Sequence, residues 1–306
     1  NLDPADIKLK TTYDALDFMN VAVDPLDNKH FFVTSYGTGL YEFTDNVFSK
    51  WHNISNSTIE TVLVDAPNNY MRLDGAIFDK DGNLFLTNSG VSGSVKVLLK
   101  NGKWTKLVYP EAVKPTLGKI MISNENPNHK WIPSVRYSTG LFVFDDNGTI
   151  ENSSDDRKVF KPAFVYPETD NGQTVLMSVS PGAIYDVVQD KNNVVWVGTD
   201  AGPFLFYNPS RIFDPGYTCS RVKIPRNDNT GQADYLLQNE KIKAIAIDGA
   251  NRKWLGTETS GVYLMSENGQ ETIRHFTTEN SPLLSDDILS IAIHPVTGEV
   301  FFGTGR

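Results

Sequence analysis

"NRKWLGTETSGVYLM" occupies Asn251–Met265, and "NVVWVGTDAGPFLFY" repeats its plan at Asn193–Tyr207. Each begins with an aromatic and an aliphatic residue, then Gly-Thr, a polar step, a Gly and an apolar run. Looser copies are "HFFVTSYGTGLYEF" (His30–Phe43), "NLFLTNSGVSGSVKVLL" (Asn83–Leu99), "KWIPSVRYSTGLFVF" (Lys130–Phe144) and "VFFGTGR" (Val300–Arg306). The lead aromatics are Phe32, Phe85, Trp131, Trp196, Trp254 and Phe301. They recur about every 50 residues, and a fixed period of that size is the mark of a repeat architecture.

Every copy follows a short alternating run: "NVAVDP", "GAIFDKDG", "KIMISNEN", "IYDVVQDKN", "IKAIAIDGAN" and "LSIAIHPVTG". Alternation with a period of two, rich in Val, Ile and aromatics, predicts strands. Between the strands lie "DKDGN", "DKNN", "DGANR" and "PVTGE", whose Asp, Asn and Gly tolerate the positive φ of tight hairpins. A fourth, outer strand is expected at "KWHNIS", "KWTKLVYP", "RVKIPR" and "TIRHFTT". Four-stranded antiparallel units in series predict an all-β fold, a β-propeller of six or seven blades. One such sheet cannot bury both faces alone, so its neighbours must cover them. The Gly of "WVGT" and "WLGT" would permit close backbone approach, and the preceding Trp would fill space between blades. The expected organisation is a single domain over 1–306, with blade cores near 18–50, 70–108, 118–165, 182–225, 241–278 and 287–306. The sixth unit lacks its third and fourth strands. "ADIKLKTT" near the start could supply one of them and close the ring. The abrupt ends read as those of a fragment of a longer chain.

Charge and composition narrow the function. The chain has 28 basic and 37 acidic residues, a net charge of −9, which argues against a nucleic-acid partner. No apolar run approaches the ~20 residues of a membrane span. Cys219 is the single cysteine, so no internal disulfide can form. The five histidines, His30, His52, His129, His275 and His294, have no metal-type spacing. "DKDGNLF" (Asp79–Phe85) imitates the front of a calcium loop, but strands rather than helices flank it, so it reads as a hairpin. "SGVSGS" (Ser89–Ser94) reads as a loop between strands, and no phosphate-cradling or nucleophile-elbow motif occurs. No catalytic residue, cofactor or metal is therefore expected.

"IYDVVQDKNNVVWVGTDAGPFLF" and "IKAIAIDGANRKWLGTETSGVYLM" resemble the two-component-regulator propeller repeat of Bacteroidetes. "RVKIPRNDNTGQADYLL" (Arg221–Leu237), "AIDGANRKWLGT" (Ala246–Thr257) and "HFTTENSPLLSDDILSIAIHPVTGEVFFGT" (His275–Thr304) are most similar to PorZ-type surface proteins of the type IX secretion system. The resemblance implies an extracytoplasmic, non-enzymatic role at the cell surface or in the periplasm, with a β-sandwich downstream. The alternative it implies is the periplasmic glycan-sensing propeller of a hybrid two-component histidine kinase, with a kinase domain downstream. A propeller glycosidase or lyase is the second alternative.

In propellers the loops between the second and third strands, and those between blades, emerge on one face and carry binding residues. The first kind here holds Tyr36, Arg136, Tyr137, Asp200, Glu258 and Thr259. The longest of the second kind is "RNDNTGQADYLLQNE" (Arg226–Glu240), with Arg226, Asp228 and Tyr235. Aromatic, guanidinium and carboxylate groups on one mouth suit a glycan or lipopolysaccharide, or a surface protein.

Overall fold

The computed structural model describes residues 17–170, 172–226, 228 and 232–305. "ADIKLKTT", the segment expected to close the ring, lies outside the described residues. The described chain is built of strands, with two short 3-10 turns at Pro110–Ala112 and Pro209–Phe213 and no helix long and apolar enough to cross a membrane.

The chain divides into two compact units. Among the described residues, one takes in those to Ile122, then Asn126–Ser138 and Phe142–Phe160; the other takes in Ser123–Glu125, Thr139–Leu141 and those from Lys161 on. The first unit opens with the sheet Phe18–Asp24, Asp27–Ser35, Gly39–Thr44, Val47–His52, paired in chain order. A second sheet follows: Leu73–Phe78, Leu84–Asn88, Val95–Leu98, Trp104–Leu107. A third combines Met121–Ile122, His129–Ser134, Gly140–Asp145 and Arg157–Lys161. All the ladders are antiparallel, as short hairpin connections require. The second unit contains Ile184–Gln189, Val195–Thr199 and Gly202–Phe206, then the four strands Ile242–Ile247, Lys253–Thr257, Val262–Met265 and Thr272–Phe276, then Ile288–Ile293 with Val300–Thr304.

The core lies between successive sheets. In the first unit Phe32, Leu40 and Met71 pack with Leu73, Leu84 and Leu86, while Phe85, Val97 and Tyr109 pack with Ile132, Phe142 and Phe144. In the second, Trp196 and Leu205 meet Ile242, Ile245 and Leu255, and Trp254 meets Ile288 and Phe302. Most lead aromatics are buried because a neighbouring sheet covers them. Phe301 is 57% exposed, since among the described residues no further sheet packs on it.

A carboxylate at the first hairpin turn explains the Asp six residues before Phe85, Trp196 and Trp254. One oxygen of Asp190 accepts the N–H groups of Asn192 and Val194, both at 2.9 Å, and the other accepts the Trp196 indole N–H at 3.0 Å. Asp248 does the same with Ala250 at 2.9 Å, Arg252 at 3.0 Å and the Trp254 indole at 3.2 Å. Asp79 closes its turn on Asp81 and Asn83, and because the Phe85 ring has no N–H the Asn83 side-chain amide donates to the second oxygen at 2.8 Å. The turn and the aromatic wedge are thus fixed by one residue. The Gly that follows is a packing device: a Cβ on Gly198 would lie 2.6 Å from the Ile242 carbonyl oxygen, and one on Gly256 would lie 2.6 Å from Ile288 Cγ2.

Three features differ from the sequence reading. "RVKIPR" does not complete the fourth sheet as an outer strand; Leu205 bridges Ser220 instead, and Lys223–Pro225 pairs with Ala233–Tyr235. Within this expected loop, Ala233–Tyr235 is therefore a hairpin arm. The run "KIMISNEN" contributes only Met121–Ile122, because its Lys119 end leads into a bridge between Leu117 and Ser134. Phe164–Asp170 and Gln173–Val179 form a further hairpin. Its Pro167 and the acidic "ETD" masked the alternation that announces strands.

Candidate functional site

In the first unit four loops meet around Tyr36. The Arg72 N–H donates to the Tyr36 carbonyl at 2.8 Å, and the Tyr36 hydroxyl donates to the Pro115 carbonyl at 3.2 Å. Thr116 accepts the Arg136 N–H at 3.1 Å and donates its hydroxyl to the Arg136 carbonyl at 2.6 Å. Ser89 N–H donates to the Arg72 carbonyl at 2.9 Å. The backbone links fix the loops relative to one another, so the side chains they bear keep their spacing.

Those side chains are tyrosines and arginines. The Arg72 guanidinium carbon lies 5.8 Å from the Tyr70 ring centre, and that of Arg136 lies 5.6 Å from Tyr137. Tyr70 is 49% and Tyr137 69% exposed. Burial pushes the Tyr36 hydroxyl above its ordinary pKa, with Arg72 and Arg136 pulling the other way and Asp74 adding to the rise. The Tyr36 hydroxyl therefore keeps its proton at neutral pH and acts as a hydrogen-bond donor. Tyr70, Arg72, Tyr137 and Ser138 all have φ between 55° and 72°. Bulky residues rarely adopt the left-handed region, and each instance costs about 1–3 kcal/mol that the surroundings must offset.

The structure thus brings Tyr36, Arg136 and Tyr137 together, as neighbours on converging loops. It adds Tyr70 and Arg72, which the repeat pattern did not single out. The available signal was the stretch from Asn53 to Arg72, which carries no strand. Loops beyond about 12 residues without structure are uncommon and often functional.

The remaining predicted residues belong to the second unit and are engaged within it. Asp200 accepts the Gly182 N–H at 3.1 Å. Glu258 pairs with Lys241 at 2.5 Å, and Thr259 is exposed beside it. Arg226 reaches across its hairpin to Asp234, with Nε at 2.9 Å, and Asp228 is exposed nearby. The Tyr235 hydroxyl donates to Glu168, and its ring lies 4.1 Å from the Arg221 guanidinium carbon. Tyr235 thereby ties one hairpin to the other.

The second unit also has a cavity of about 560 Å³ that sequence reasoning missed, at the opposite strand ends from Asp200 and Glu258. Asp190, Trp196, Tyr207, Glu267, Asn268 and Glu271 line it. Lys253, which pairs with Asp190 at 2.9 Å, is fully buried. The accessible groups there are acidic or neutral, opposite in sign to the arginine-bearing loops.

With this geometry in hand, the likeness to known proteins becomes informative. Residues 178–201 match the two-component regulator propeller. They cover the strand Ile184–Gln189, the Asp190 turn and the strand Val195–Thr199. PorZ, described as an essential bacterial surface component of the type-IX secretion system of Porphyromonas gingivalis, superposes with a TM-score of 0.86 at 29% identity over 99% of this chain. The fold is a β-propeller. The propeller spans 40% of the length of PorZ. A streptogramin B lyase shares the propeller fold at 11% identity, with a TM-score of 0.60 over 93% of this chain and 75% of its own. A domain described as the extracellular part of a hybrid two-component system from B. thetaiotaomicron aligns at 15% identity over 96% of this chain and 38% of its own. Its TM-score is 0.49, too low to bear on function. Among curated protein sequences, none matches the chain.

Proposed function

We propose that this propeller is a non-catalytic, extracytoplasmic recognition module that binds an anionic glycan, of which lipopolysaccharide is the leading example. The observation that carries the reading is the convergence of Arg72 and Arg136 with Tyr36, Tyr70 and Tyr137 on loops held partly in the left-handed region. Guanidinium groups pair with phosphate or carboxylate in fixed geometry. Exposed tyrosine rings stack on the apolar faces of sugars while their hydroxyls reach the edges. The likeness to PorZ, a surface component of a secretion system, supports the extracytoplasmic location and a link to type IX secretion. It also favours this reading over the glycan sensor of a hybrid kinase and over a glycosidase or lyase. The ring is proposed to hold six or seven blades within a single domain.

The test is calorimetric titration with lipopolysaccharide, with the same material stripped of phosphate, and with a neutral polysaccharide. The expected result is binding that needs the anionic groups and that weakens about tenfold or more in Arg136→Ala/Tyr137→Ala, a loss of about 1.4 kcal/mol. Both residues are exposed on loops, so the melting temperature should hold. Equal binding by the variant, or turnover of any of these glycans, would overturn the proposal.

A further inference from the structure

Four outer strands of the propeller's sheets carry basic residues: Lys50 in "VFSKWH", Lys106 in "WTKL", Arg157, Lys158 and Lys161 in "RKVFK", and Arg274 in "TIRHF". Charge on an outer strand is a standard protection, because an unpaired row of N–H and C=O groups otherwise templates pairing with another chain. The hairpin strand Gln173–Val179 departs from this rule. Its sequence, "QTVLMSV", has no charge, no Pro and no Gly.

This strand pairs on one side with Phe164–Asp170, from Asp170↔Gln173 to Phe164↔Val179. On the other side no described strand meets it. Gln173 to Ser178 are all exposed, including Val175, Leu176 (63%) and Met177. The hairpin itself is firmly seated. Phe164 packs edge-on to Phe204 at 5.1 Å and Phe206 at 5.4 Å, Tyr166 packs on Tyr235 at 5.8 Å, and the Cys219 N–H donates to the Val165 carbonyl at 2.8 Å. An uncharged, largely apolar strand edge is therefore presented to solvent.

We propose that this edge is a β-augmentation site and that its occupant is a second copy of the chain. The strand is close to self-complementary. Antiparallel pairing centred on Leu176 sets Leu176 against its own copy, Val175 against Met177 and Thr174 against Ser178. In these central pairs apolar groups face apolar groups and hydroxyls face hydroxyls, only the end pair sets Gln173 against Val179, and no like charges are opposed. Such an interface is isologous and closes at two copies, because pairing about a two-fold uses the same edge of both strands. Each copy carries a net charge of −9, so the dimer should tighten as salt screens the long-range repulsion.

The experiment is sedimentation equilibrium of the full chain at low and high salt, for the native protein and for Leu176→Lys. A dimer that tightens with salt and weakens more than about tenfold in Leu176→Lys is expected. A second measurement removes dependence on that one variant: oxidation of Leu176→Cys should give a crosslinked dimer, while Val64→Cys, at a still more exposed loop position, should not. The native Cys219 does not compete, because burial pushes its thiol up to about 12. A chain that is monomeric at every concentration, a dimer indifferent to Leu176→Lys, or crosslinking at 64 as strong as at 176 would each overturn the proposal.

Discussion

Asp190 joins a turn, a wedge and a buried charge. Beyond its bonds to Asn192, Val194 and Trp196, it pairs with Lys253. That ammonium also donates to the Asn251 carbonyl at 2.8 Å and lies 5.2 Å from the Trp196 ring centre. Removing one partner of a buried pair leaves an uncompensated charge, which costs about 3–5 kcal/mol. Asp190→Asn should lose stability on that scale by denaturant unfolding. Asp190→Asn/Lys253→Met should lose less than the sum of the two single changes, by at least about 1 kcal/mol. Additive losses would show that the pair is not coupled. His30 offers a pH test. Burial works against its charged ring, but Asp24 and Glu42, each 3.0 Å away, win and raise its pKa. Its stabilising contribution is then fully present below the ordinary value of about 6.5 and is lost as pH rises through the raised one. His129 is shifted the other way, chiefly by burial, with Asp145 opposing, so its effect falls below the ordinary value and the windows do not overlap. Melting temperature should fall with rising pH above about 6.5 in the native chain and fall less in His30→Gln; equal slopes would refute the assignment.

At the scale of the element, the strands were readable because period-two alternation and Asp-rich turns are local signals. Gly198 was readable too, and its role can be tested. A methyl group there meets a backbone carbonyl that cannot move aside, whereas nothing lies within 4 Å of a Cβ on Gly249. Gly198→Ala should destabilise by about 1–3 kcal/mol while Gly249→Ala stays within about 0.5 kcal/mol. Comparable losses at both sites would remove the packing explanation. The elements that sequence missed share a cause. Phe164–Asp170 contains Pro167, and Ala233–Tyr235 is only three residues long, so neither offers enough period-two pattern to register. Arg72 was missed because its placement depends on contacts far along the chain, with Tyr36 and Ser89, and both it and Tyr70 rest on a positive φ that no propensity announces.

For the whole molecule, the propeller class was legible from repetition, since the same apolar choices had to recur wherever one sheet covers the next. The candidate site was legible in part. Loop position marked Tyr36, Arg136 and Tyr137, while Asp200, Glu258, Arg226 and Tyr235 turned out to hold partners within their own unit. Whether a loop side chain is spent internally depends on distances between strands that sequence does not encode. The net charge of −9 is also unevenly expressed, with guanidinium groups on the first unit's loops and carboxylates in the second unit's cavity. An anionic ligand would be drawn to the former and turned away from the latter.

The Asp turn has a kinetic consequence. Asp190 and Trp196 are six residues apart, as are Asp248 and Trp254, so each clasp closes a loop short enough to form in well under a microsecond. Nucleation therefore requires no distant encounter. Any of these hairpins can serve as a starting point, and growth proceeds by adding the adjacent one. A lesion in one clasp should then slow only its own neighbourhood, leaving the rest of the chain free to fold from elsewhere.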